Sequence, residues 1–246
     1  FLRGVNYITH FLVFSKELFE KAGRRENPDY DGAQDYDLIL RLSEKAEKIC
    51  HIPKVLYYWR GHSGSTAKDM SAKSYAFEAG RKAVAAHLER VGLKGKVSIQ
   101  KYNGSYRTRY EISGNPLVSI IIPNKDHIDD LSRCVNGIFS KGGWDNIEVI
   151  VVENNSRDKR TFDYYDKITA ENPKVKIVYY KGDFNFSAIC NFGFESAKGE
   201  HILLLNNDVE FISDGFIKEM LSYSQRKDVG AVGAKLYYPD GTIQHA

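Results

Sequence analysis

The sequence predicts an α/β fold with a doubly wound parallel sheet, and three observations carry that prediction. Four short aliphatic runs, "LVSIIIP", "IEVIVVE", "KVKIVYY" and "HILLLN", follow one another after Asn115. Segments with helical spacing stand between them. Each run is bounded by turn residues and is nearly continuous in its apolar side chains, as strands buried on both faces are. Such βα alternation requires right-handed crossovers and gathers ligands at the carboxyl ends of the strands.

Taken in chain order, the first 68 residues open with "HFLVFS", expected as a strand, and "SKELFEKAG", a short helix closed by Gly23. After the Asp31-Gly32 turn, "QDYDLILRLSEKAEK" reads as an amphipathic helix and "HIPKVLYYWR" as a further strand. Residues 69–115 read as a connector with structure of its own. It has a long helix marked by Tyr75, Ala79, Ala83, Ala86 and Val91, then two alternating runs joined at Asn103-Gly104, a hairpin signal. In residues 116–246 the helical segments are marked by Leu131, Val135, Ile138 and Phe139, then Phe162, Tyr165 and Ile168, then Ile189, Phe192 and Ala197.

Composition narrows the function classes. The 246 residues carry 35 Lys+Arg against 32 Asp+Glu, a net charge of +3 without a single-sign block, which argues against a nucleic-acid surface. Cys50, Cys134 and Cys190 are widely spaced and form no C-x-x-C pair, so neither a disulfide framework nor a zinc site is expected and a reducing cytosol fits. No apolar run approaches the roughly 20 residues of a membrane-spanning helix. The chain opens on Phe1 in mid-pattern and ends just after the turn in "YPDGTIQHA", so a fragment of a longer protein is expected.

Strand ends are where chemistry is expected. The first, second and fourth strands end in "PNKDH", "VENNSRD" and "NNDVE", which brings Asn124, Asp126, Glu153, Asn154, Asn155, Asn206 and Asp208 to one sheet edge. The same residue types also make βα turns and helix caps. Neither G-x-G-x-x-G nor G-x-x-x-x-G-K-[ST] is present, so phosphates would not be held by a glycine cradle. A hard cation on Asp208, Mg²⁺ or Mn²⁺, would neutralise a diphosphate instead.

The blocks "PLVSIIIPNKDHIDDLSRCVNGI", "IEVIVVENNS" and "NFSAICNFGFESAKGEHILLLNNDVE" resemble the N-terminal half of a family 2 glycosyltransferase. The resemblance implies a Rossmann-like GT-A fold for nucleotide-diphospho-sugars. It implies that Pro123, Asn124, Asp126 and Glu153 hold the nucleoside, with Asn155 beside them. Asn191 and Gly193 match the block on the preceding helix that lines the nucleotide site. The family's D-x-D, which holds the metal and the diphosphate, falls on Asn206, Asn207 and Asp208. Asn206 stands where that motif has its first Asp, so metal binding rests mainly on Asp208.

The first portion resembles the acceptor-side half of the same family. In "DGAQDYDLILRL" the resemblance makes Asp35 the catalytic base on the acceptor hydroxyl, while Asp37 suits the helix N-terminus. "YYWRGHSGST" resembles the family's Y-R-x-H-x-x-S segment, which makes His62 a candidate metal ligand. The Q-x-x-R-W signature of processive synthases is absent.

The halves therefore stand in permuted order, acceptor side first and nucleotide side second. Two tandem transferase domains explain this, the chain holding the end of one and the start of the next; a single permuted domain is the alternative. The expected activity is inverting, metal-dependent sugar transfer from a UDP-, GDP- or dTDP-sugar to a glycan or lipid-linked acceptor. The expected place is the cytoplasm, with peripheral contact to the inner membrane face. A non-catalytic nucleotide- or glycan-binding module is the competing reading, and a nicotinamide-dependent enzyme is disfavoured by the missing glycines.

Overall fold

The structure is a computed structural model that describes residues 1–8, 11–23, 27–58, 74–102 and 104–245. It divides into two compact units, Phe1–Glu111 and Ile112–Ala246.

In the first unit, helix α1 (Lys16–Lys21) starts where the Ser15 hydroxyl accepts the Leu18 N–H at 3.1 Å, and the chain then turns at Gly23 with φ +97°. Helix α2 (Gln34–Lys45) follows a second left-handed glycine, Gly32, and buries Tyr36, Ile39, Leu40 and Leu42. Helix α3 (Ser74–Arg90) packs on α2 and buries Ala79, Gly80, Ala83, Val84 and Leu88. Small residues are needed on that face: a Cβ on Gly80 would lie 2.0 Å from the Tyr106 hydroxyl. Tyr106 belongs to the antiparallel hairpin of β1 (Gly95–Ile99) and β2 (Tyr106–Tyr110), paired from Gly95↔Tyr110 to Ile99↔Tyr106 as the Asn-Gly signal predicts.

A buried charge network ties this unit together. Arg41 bonds Asp37 at 2.8 Å, and Glu44 takes both Arg90 at 2.9 Å and the His87 Nδ1 at 2.7 Å. Arg3 Nε donates to His87 Nε2 at 3.0 Å. That geometry assigns the proton to Nδ1, and burial, the largest influence, lowers the His87 pKa and favours this neutral form.

Neither strand expected in this portion is formed among the described residues. Described residues 11–14 and 51–58 contain no strand, and Val13 and Val55 are both 82% exposed. A strand needs a neighbour for its backbone groups, and among the described residues none pairs with these segments. The rest of both segments lies outside the described residues.

The second unit holds a four-stranded parallel sheet of order β5-β4-β3-β6. Its strands are β3 (Val118–Asn124), β4 (Ile147–Glu153), β5 (Val175–Tyr179) and β6 (His201–Leu204). Helices α4 (Ile128–Lys141), α5 (Lys159–Glu171) and α7 (Phe216–Ser224) close one face; Leu131, Val135, Ile138, Tyr165, Ile217 and Leu221 meet Ile120, Ile122, Val149 and Val151 there. Helix α6 (Phe186–Glu195) covers the other, where Ile189 meets Ile121, Ile150 and Val152. The sheet is thus doubly wound as predicted. A short hairpin, β7 (Leu236–Tyr237) with β8 (Ile243–His245), follows around the Asp240-Gly241 turn.

Gly193 sets how closely α6 approaches the sheet. A Cβ there would meet Ile121 Cγ2 at 2.6 Å and Val152 Cγ2 at 2.7 Å, both from fully buried side chains. Gly193→Ala is therefore expected to destabilise this unit by about 1–3 kcal/mol through overpacking, measured by urea unfolding.

Candidate functional site

The register of the sheet builds the site. β3 and β4 pair from Val118↔Ile147 to Asn124↔Glu153, so their last residues stand side by side. β6 pairs only as far as Ile121↔Leu204, after which Leu205 N–H reaches the Ile121 carbonyl at 3.0 Å and the chain leaves the sheet over the same edge. Asn124, Glu153 and the Asn206–Asp208 turn are therefore neighbours by topology.

A chain of hydrogen bonds runs across this edge. Asn207 Nδ2 donates to Asn124 Oδ1 at 2.7 Å, Asn124 Nδ2 to the Tyr165 hydroxyl at 2.7 Å, and that hydroxyl to Glu153 Oε2 at 2.8 Å. Burial first, and Glu153 as well, push the Tyr165 hydroxyl far above its ordinary range, so it stays a donor. Glu153 also accepts from Ser156 through the backbone N–H at 2.5 Å and the hydroxyl at 2.6 Å. Asn124 and Glu153, each 3% exposed, thus spend their polar atoms within the protein.

The groups facing outward are different. Asp126 Oδ1 accepts the Asp158 and Arg157 N–H groups, each at 2.8 Å, and these bonds hold its carboxyl below the usual range. Its other oxygen makes no hydrogen bond among the described residues. Asp126, His127 and Asn155 have φ of 54°, 49° and 60°, left-handed backbone for three side-chain-bearing residues at two adjacent strand tips. Asn154 and Asn155 both donate to the Gly182 carbonyl, at 2.9 and 3.0 Å, which fixes the loop before α6. Pro123 is half-buried on β3; Asn191 is exposed on α6, and Gly193 faces the sheet.

Asp208 is exposed and makes no hydrogen bond among the described residues, and Asn206 is exposed beside it. Cys134 on α4 lies beneath them, its sulfur 3.6 Å from the Asn206 carbonyl. Burial first, then the nearby Asp208 carboxylate, push the Cys134 thiol up to about 12, while the Val209 N–H acts the other way. Among the described residues no three His, Cys, Asp or Glu side chains come together as a metal cage. An exposed carboxylate among amide oxygens suits a hard cation that keeps its waters and shares substrate phosphates. His62 lies outside the described residues.

In the first unit Asp35 stands in the opening turn of α2, half-buried. Its Oδ1 accepts the Tyr36 N–H at 2.8 Å and its Oδ2 accepts Asn6 Nδ2 at 3.2 Å. Asp37 is 2% exposed and serves Arg41. Sequence reasoning missed Asn6, Ser156, Cys134 and the Tyr165 hydroxyl. Only Ser156 carried a signal, as the polar residue three places after a buried strand-end carboxylate. Among the described residues no helix is long and apolar enough to cross a membrane.

The chain is 43% identical over its whole length to an uncharacterized protein of Sinorhizobium fredii, of which it covers 27%. It is 39% identical to the O-antigen biosynthesis protein RfbC of Myxococcus xanthus, covering 19% of it. The chain thus spans about a quarter and about a fifth of these two relatives. Among solved structures, the mannosyltransferase PcManGT of Pyrobaculum calidifontis, in complex with GDP-Man and Mn²⁺, overlaps 52% of this chain with 37% of its own, at 18% identity and a TM-score of 0.47. The profile of the family described as Glycosyl transferase family 2 matches residues 119–245, nearly the whole second unit, and the chain belongs to that family.

Proposed function

We propose that the second unit is the nucleotide-side half of a GT-A glycosyltransferase and binds a nucleoside-diphosphate sugar across the tips of β3, β4 and β6. The supporting observation is the convergence there of two outward carboxylates, Asp126 and Asp208, on a floor of buried hydrogen bonds that joins Asn207 to Glu153. In this reading Asp126, Asn155 and Asn191 face the nucleoside, with Pro123 beside them, and Asp208 faces the diphosphate through Mn²⁺ or Mg²⁺. The cation supplies charge neutralisation of the leaving diphosphate. Asn124 and Glu153 shape the floor of the pocket.

The first unit supplies the acceptor side of a preceding tandem domain, with Asp35 as the base that takes the acceptor proton; inversion follows from in-line attack. Asn6 and the Tyr36 N–H hold that carboxylate. The product is a cell-surface glycan, a reading supported by the likeness to an O-antigen biosynthesis protein. The absence of a carboxylate at position 206 favours a second reading, a half that binds nucleotide without turnover.

Calorimetric titration with UDP, GDP and dTDP, each with and without Mn²⁺, tests the proposal. At least one is expected to bind, and more tightly with the cation. No binding by any of the three would overturn it. Binding that Mn²⁺ leaves unchanged would keep the nucleotide site and remove the cation.

A further inference from the structure

The segment that carries Asp208 has no regular secondary structure, yet it is fixed to one face of α4 at three places. Cys134, Gly137 and Lys141, spaced by three and four residues, form a single row on that helix. The Cys134 thiol meets the Asn206 carbonyl at 3.6 Å. Lys141 Nζ donates to the Phe211 carbonyl at 2.6 Å. The Phe211 ring lies over Gly137, where a Cβ would come within 2.6 Å of Phe211 Cδ2. That ring cannot easily retreat, because it stacks on Phe216 at 3.9 Å with 9° between planes. Asn207 is tied to Asn124 from the other side. Residues 206, 207 and 211 are held, and Asp208 among them is exposed and makes no hydrogen bond among the described residues.

This is the arrangement a single-carboxylate cation site needs. With Asn206 uncharged, little binding energy remains for ordering a loose loop, so the loop must be ordered beforehand. We propose that Cys134 is a positioning residue, acting with the Gly137–Lys141 row, that aims the Asp208 carboxylate at the cation. The inference rests on the reading of Asp208 as the cation-binding residue.

The test uses the whole chain, Cys134→Ala, Cys134→Ser and Gly137→Ala. Two readouts are taken: amide exchange of Val209 without any ligand, and Mn²⁺-induced broadening of the Asp208 and Val209 amide signals, titrated to an affinity. Cys134→Ala is expected to speed Val209 exchange and to weaken Mn²⁺ roughly 10–100-fold, the usual effect of losing an outer-shell partner. Cys134→Ser, which keeps a donor and an acceptor, is expected to recover most of that affinity. Gly137→Ala reaches the same loop through Phe211 and carries the same expectation should Cys134→Ala fail to fold. Unchanged Val209 exchange, or faster exchange with unchanged Mn²⁺ affinity, overturns the positioning role alone. A wild-type chain whose Asp208 signal ignores Mn²⁺ overturns the cation reading itself, and with it the task for which Asp208 would be positioned.

Discussion

Asp208→Asn is expected to remove the Mn²⁺ dependence of nucleotide binding, lowering affinity for UDP or GDP in saturating Mn²⁺ to the value measured without metal. The change is nearly isosteric and the side chain is exposed with no hydrogen bond among the described residues, so the fold should not notice it. The electrostatics should. Asn206 is an amide, and Asn207 directs its amide nitrogen to Asn124 at 2.7 Å. One carboxylate therefore carries the charge complement to the cation at this turn. Its loss is expected to weaken metal-dependent binding about a hundredfold, ~2.8 kcal/mol at about 1.4 kcal/mol per factor of ten. The reverse substitution sharpens the test. Asn206→Asp places a second carboxylate two residues away and is expected to tighten Mn²⁺ binding, because divalent sites of this kind take one or two carboxylates. Equal Mn²⁺ responses in the wild type and both variants would show that the turn holds no cation.

The sheet and its order of elements are legible in the sequence because burial on both faces leaves a mark that needs no partner to be seen: the runs of β3 and β4 are nearly continuous in apolar side chains. The hairpin of β1 and β2 is legible for a local reason, since Asn-Gly favours the tight turn. "HFLVFS" and "HIPKVLYYWR" show the limit of that logic. Their aliphatic content satisfies a strand pattern, but pairing is a property of two segments, and the described parts of these have no mate. α7 escapes for another reason. Its N-terminus is Gly215 at φ 74°, without a capping side chain, so the start signal was missing.

The site was half legible. Strand tips bring the right residue types to one edge, which period and topology predict. Which atoms are free is decided by residues far off in sequence: Tyr165 from α5 takes Glu153 and Asn124, and Cys134 from α4 takes the Asn206 carbonyl. The row of Cys134, Gly137 and Lys141 mixes a thiol, a glycine and a cation, so no hydrophobic stripe announces it. Gly193 looked like part of a ligand motif, yet its missing Cβ is needed where α6 meets Ile121 and Val152.

Glu153→Ala separates these two kinds of residue. The family resemblance makes Glu153 a nucleoside ligand, whereas its surroundings make it the keystone of the pocket floor. It accepts from the Tyr165 hydroxyl at 2.8 Å and from two groups of Ser156, and it is 3% exposed. Alanine leaves the Tyr165 hydroxyl without its acceptor at a site closed to water. It also frees Ser156, whose hydroxyl accepts the Asp126 N–H at 2.7 Å, so the turn bearing Asp126 loses an anchor as well. Orphaned buried donors cost about 1–3 kcal/mol each, so a loss of roughly 3 kcal/mol or more is expected in urea unfolding. Native-state amide exchange should place that loss on β3 and β4. Tyr165→Phe removes one bond to each neighbour and should cost less, about 1–2 kcal/mol. A Glu153→Ala chain of wild-type stability that no longer binds nucleotide would reverse the assignment: the carboxylate would then turn outward to meet the ligand, and Ser156 would be its resting partner.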